Sequence, residues 1–110
     1  MTQGSKAEHD TWASLYNGTA WDWDHIQPYY KKHQTFEAPT DAYSEDAGGI
    51  VVDADAHGYD GPIHYSRAGY LFAQIGHWMP TWANLGVGTV DPASGVTAGS
   101  YISTSAIRTR

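Results

Sequence analysis

The sequence predicts an α+β fold, built of short helices with a few antiparallel strands. Three observations carry the prediction. Apolar residues recur at helical spacing in three stretches, 5–16, 22–33 and 71–85. Short strand-like runs bounded by turn residues lie between and after them, at Ile50–Val52, Ile63–Ser66 and Ser100–Ile107. Helices and strands thus alternate irregularly within 110 residues, a length that holds one domain.

Taken in order, Ser5-Lys6-Ala7-Glu8 is a capping box: hydroxyl and carboxylate each satisfy a free N–H at a helix start. Trp12 and Leu15 or Tyr16 follow at helical spacing, and Asn17-Gly18 supplies a left-handed stop. A second helix starts at Asp22 or Asp24. Ile26, Tyr29, Tyr30 and His33 form its stripe, Lys31 and Lys32 suit its C-terminal end, and Pro28 sits about one turn in. Residues 37–60 carry Glu37, Asp41, Glu45, Asp46, Asp53, Asp55 and Asp60 without a Lys or Arg, which predicts an exposed acidic loop around the short strand Ile50–Val52.

Asp60-Gly61-Pro62 is a turn into the strand Ile63–Ser66. Leu71, Ile75, Trp78, Trp82 and Leu85 step by 4, 3, 4 and 3, which predicts one helix kinked at Pro80 over Gly76 and ended by Gly86. Asp91–Gly95 is a turn before the Thr/Ser-rich strand Ser100–Ile107. The chain divides into a helical part (1–36), the acidic loop (37–60), and strands with a kinked helix (61–110).

Composition narrows the function. A net charge of −6 argues against nucleic-acid and anionic-membrane partners. No apolar run approaches the roughly 20 residues of a membrane-spanning helix, and the N-terminal residues lack the apolar segment of a secretory signal. With no Cys there is no disulfide or thiolate site. Leu, Ile, Val and Phe together number only 16 of 110, so five Trp and eight Tyr either carry the core or pack on something beyond this chain.

Motifs for chemistry are few. Asp53–His64 mimics a calcium loop, but His57 and His64 stand where oxygen ligands belong, so an acidic turn is the plainer reading. His57, His64 and Asp53 could converge on zinc, yet no two His have the i, i+4 spacing of a helical site. Serine-nucleophile and phosphate-loop motifs are missing, and Gly86-Val87-Gly88 fails as a dinucleotide loop because a helix precedes it. No catalytic, cofactor-binding or metal residue is therefore assigned. Asn17-Gly18-Thr19 is an N-glycosylation sequon. The pairs Trp21/Trp23, Tyr29/Tyr30 and Trp78/Trp82 could instead be sugar platforms. A small carbohydrate-binding module is thus one alternative, and a non-functional truncated product is another.

In sum, GSKAEHDTW, WDWDHIQPYYKK, HGYDGPIHYS and LG–DPASG–GSYISTSAI, in that order over about residues 2–110, resemble the glucose–methanol–choline oxidoreductases. The likeness is to fungal secreted members of the glucose oxidase, glucose dehydrogenase and aryl-alcohol oxidase type. Gly4–Trp12 resembles the tail of the signature R-G-S-x-x-D-Y-D-x-W, with Gln3 at the Arg position and His9 at the Tyr position. Trp21–Lys32 resembles the W-x-W-D–PYFKK helix, His57–Pro62 the H-G-x-x-G-P turn, and Leu85–Gly99 the loop before a sheet strand. Arg110 would open an R-S-x-S segment.

The resemblance implies an internal fragment of the FAD and substrate domains of a secreted flavoprotein. It implies FAD, a sugar or alcohol oxidised at CH–OH, and the remainder of the parent polypeptide as partner. The family's FAD motif and catalytic pair match no position here, so the chain alone is expected to be inactive.

Overall fold

A computed structural model describes residues 3–106. Helix α1 runs Lys6–Leu15 and begins as the capping box requires. Glu8 N–H donates to Ser5 Oγ at 3.2 Å, and Ser5 N–H donates to the Glu8 carboxylate at 2.8 Å. Asn17 takes a left-handed φ of 52° just past the helix, a conformation Asn tolerates better than most residues. Ser5→Ala is expected to lower stability by about 1 kcal/mol, the usual worth of an N-cap, read as a fall in urea midpoint at unchanged slope.

Helix α2 spans Trp23–Lys32, with Asp22 as N-cap accepting His25 N–H at 3.0 Å. Its first residue is the one buried Trp among the described residues. Trp23 packs beside His9, and His9 Nε2 lies 3.1 Å from the Tyr30 hydroxyl. Trp23 N–H also donates to Asp10, which fastens α1 to α2. A distant turn closes this cluster. Lys6 N–H donates to Gly95 O at 2.9 Å, and a Cβ on Gly95, at φ +87°, would stand 2.8 Å from the Trp23 indole. Only glycine fits there.

Strands β1 (Gln34–Phe36) and β2 (Ile63–Tyr65) make the one sheet among the described residues, with Gln34 opposite Ile63 and Phe36 opposite Tyr65. They are parallel, which corrects the expected antiparallel pairing. Residues 37–62 form a crossover long enough to return the chain in the same direction. Among the described residues, antiparallel pairing is limited to the single bridges Thr35–Tyr59 and Ser66–Ser105.

The acidic stretch is not only loop. Helix α3 covers Asp41–Asp46 behind the N-cap Thr40, and a 3₁₀ turn at Ala54–Ala56 is capped by Asp53. Short polar side chains that looked like loop composition here set helix starts. Ile50–Val52 forms no strand. The single kinked helix also resolves differently, into a 3₁₀ turn (Ala73–His77) and α4 (Trp78–Asn84). Pro80 is the third residue of α4, where its missing N–H leaves no helical bond unmade. The buried residue is Met79, off the expected stripe, while Trp78 and Leu85 are exposed. Asp91 caps the 3₁₀ turn Pro92–Ser94. Beyond it Ser100 and Ser105 make isolated bridges rather than a strand, and Ile107 and Arg110 lie outside the described residues.

The radius of gyration, 15.1 Å, exceeds the about 13 Å of a compact domain of this length. The extents, 47 × 35 × 18 Å, describe a slab.

Candidate functional site: a buried carboxylate–imidazole pair

The densest polar constellation lies where β1, the 57–62 turn and the 91–95 turn meet. β1 turns Gln34 and Phe36 inward. His57 stacks on Phe36, with ring centroids 3.7 Å apart and planes 11° apart. Its Nε2 lies 2.8 Å from Asp91 Oδ2. An ionised carboxylate only accepts, so His57 Nε2–H donates. Asp91 also accepts the N–H groups of Asp53 at 3.0 Å and Ala93 at 3.1 Å. Burial pushes the Asp91 carboxyl up, but these hydrogen bonds outweigh it and hold it below the usual carboxylate range.

Arg67 is buried in the field of Asp91 and Tyr43. Burial lowers its pKa, and those two groups push it back up. His57 and Asp91 are each only 4% exposed. The adjoining cavity, lined by Gln34, His57, Tyr65 and Asp91 among others, holds about 20 Å³, room for one water and no substrate. A general base must come within hydrogen-bond reach of its substrate. The pair is therefore a structural tie that pins two turns to the sheet.

The glycines of the H-G-x-x-G-P turn explain how His57 gets there. A Cβ on Gly58 would overlap the Lys31 carbonyl, and one on Gly61 would overlap His33 and the Gln34 amide. Backbone crosses backbone at both points, so the turn can lie against the end of α2 only as glycine.

The other sequence candidates scatter. Asp53 caps the Asp55 N–H, while His64 Nδ1 pairs with Glu37 at 3.0 Å. Among the described residues no group of three or more His, Cys, Asp or Glu gathers to hold a metal. Trp21 is exposed while Trp23 is buried, and Trp78 and Trp82 meet edge to face at 76°. Neither pair is a flat platform. Asn17, Gly18 and Thr19 are all exposed. The Asp91–His57 pair itself escaped sequence reasoning, because 34 positions separate its members and no spacing rule links them.

The described residues do not fit a dinucleotide cofactor. No glycine-rich strand-to-helix turn is present. The start of α1, where backbone N–H groups could meet a phosphate, is closed by the Glu8 carboxylate. Arg67 is buried in the field of Asp91 and is not displayed at the surface.

Comparison with known proteins supplies the frame that these side chains do not. No protein-family model matches the chain. An FAD-dependent oxidoreductase from Chaetomium thermophilum superposes on 97% of it with a TM-score of 0.86 at 31% identity, and 18% of that protein is covered. The fold is thus that of a segment of an FAD-dependent oxidoreductase. A dehydrogenase of Emericella nidulans is 30% identical over 90% of the chain, with 16% of the relative covered. A glucose oxidase-like protein of Humicola fuscoatra is 37% identical over 77%, with 14% covered. An alcohol oxidase of Candida boidinii is 28% identical over 82%, with 11% covered. Over most of its length the chain is similar to a segment of the glucose–methanol–choline oxidoreductases. It spans 10–16% of the length of the curated relatives it matches.

Proposed function

We propose that this chain is a scaffolding segment of a secreted FAD-dependent oxidoreductase acting on the CH–OH groups of sugars or alcohols. Residues 1–36 form its helical part, 37–60 an acidic connection, and 61–110 a part of the substrate domain. The flavin, which supplies the hydride-accepting chemistry when bound, and the catalytic base belong to the remainder of the polypeptide. This chain's own share is to set turns: Asp91, His57 and Gly58 hold the 57–62 and 91–95 turns in fixed relation. The observation that carries the reading is the superposition of nearly the whole chain on less than a fifth of a flavoprotein.

A second feature supports it. Tyr70, Phe72, Trp78 and Leu85 are between 48% and 71% exposed within one short stretch. Large apolar side chains left open in this way mark a contact face, as a segment covered by the rest of a larger protein would have. The test is cofactor retention. The full polypeptide is expected to leave gel filtration yellow, and the 110-residue chain colourless with no alcohol- or sugar-oxidising activity. A flavin-loaded, active 110-residue chain would overturn the reading.

A further inference from the structure

A surface cleft of about 660 Å³ opens between the last turns of α1 and the 3₁₀ turn Thr19–Trp21, within the roughly 300–1,000 Å³ range of ligand sites. Trp12, Tyr16 and Trp21 wall it, and Gly18, Ala20 and His9 complete it. Trp12 and Tyr16 lie nearly parallel, 9° apart at 5.6 Å, and remain 56% and 69% exposed. Trp21 is 62% exposed. The sequon Asn17-Gly18-Thr19 runs along the rim, for Tyr16 and Gly18 on either side of Asn17 both line the cleft. The left-handed turn at Asn17 breaks α1 there, and all three sequon residues face solvent.

We propose that Asn17 is an N-glycan acceptor and that the Trp12–Tyr16–Trp21 cleft seats the glycan's first N-acetylglucosamine. A pyranose has apolar C–H faces and a polar rim, the complement of flat rings in a cleft open to water. The covalent step uses a lipid-diphosphate-linked oligosaccharide and a host transferase. Asn17 Nδ2 bonds to the sugar C1, the C1–O bond to phosphate breaks, the lipid diphosphate leaves, and a base on the transferase takes the amide proton. The tether then holds the sugar at the cleft at high effective concentration, so weak stacking suffices. The inference stands on residues 12–21; it rests on the secreted reading proposed above but not on its flavin assignment.

The test uses the full polypeptide secreted from yeast, trimmed by an endoglycosidase that leaves one N-acetylglucosamine, beside a Thr19→Ala variant that lacks the sequon. Peptide mapping is expected to find N-acetylhexosamine on Asn17 and none in Thr19→Ala. Hydroxyl-radical footprinting is expected to show oxidation of Trp12 and Trp21 about twofold lower in the glycosylated form, with Trp78 and Trp82 unchanged. Unmodified Asn17 overturns the proposal, as does equal oxidation of the rings in both proteins. Equal protection would mean that polypeptide covers the cleft, and equal exposure that the sugar points away.

Discussion

Asp91→Ala is expected to cost about 3–5 kcal/mol, the penalty for removing one charged partner from a buried hydrogen-bonded network. The loss has several parts. His57 Nε2–H and the N–H groups of Asp53 and Ala93 lose their acceptor at once, and Arg67 loses the negative field that offsets part of its burial. Set against a domain stability of about 5–15 kcal/mol, that is a fifth or more. Urea unfolding of the full polypeptide measures it, and a change within about 0.5 kcal/mol would refute the structural role. Asp91→Asn retains the shape and one acceptor oxygen, so its cost should be lower, about 1–3 kcal/mol. The same pair predicts a pH dependence. The Asp91 carboxyl titrates below its ordinary 3.8 in the folded state. Its contribution is therefore complete above that ordinary value and is lost as pH falls toward the folded one. The urea midpoint should drop on acidification below about pH 4, less steeply in Asp91→Asn.

Gly58→Ala is expected to be as damaging by an unrelated route. The added methyl would overlap the Lys31 carbonyl, which is main chain and cannot rotate aside. Relief requires α2 or the 57–62 turn to shift, and His57 moves off Asp91 with it. Overpacking of this kind costs about 3 kcal/mol, the upper end for an added methyl group, before the disturbed pair is counted. Gly61→Ala meets the Gln34 amide and should behave alike. Gly88→Ala is the control, since nothing lies within 4 Å of its Cβ position. Melting temperature and soluble yield should fall sharply for the first two and stay unchanged for the third. Normal stability in Gly58→Ala would show that the turn and α2 do not lie in contact.

What the sequence disclosed was local. The Ser5–Glu8 box, Asp22 before α2 and the Asp91–Gly95 turn each act within four residues, and each was legible. Pairing over distance was not. Nothing in Gln34–Phe36 announces a strand, and only its parallel partner at Ile63 makes it one. The periodicity of the Leu71–Leu85 stripe reports that a face is apolar. It does not report what covers that face, and within this chain Met79 is buried while Trp78 and Leu85 stand open. The candidate site was hidden for a like reason: His57 and Asp91 are each unremarkable until the crossover between β1 and β2 brings them together. The family likeness needed only motif order, which survives in sequence where contacts do not.

The contact between Lys6 and Gly95 bears on the order in which the chain folds. Ribosomal synthesis delivers α1 and α2 early, and each is capped well enough to form transiently as it emerges. Their shared aromatic cluster nevertheless stays open on one side until residue 95 arrives, because the Lys6 amide and the Trp23 indole both close against Gly95. Contacts of such long sequence separation are formed slowly. During that interval Trp23 is without its cover, and a nascent chain paused before position 95 would be a natural substrate for chaperones that hold exposed aromatic rings.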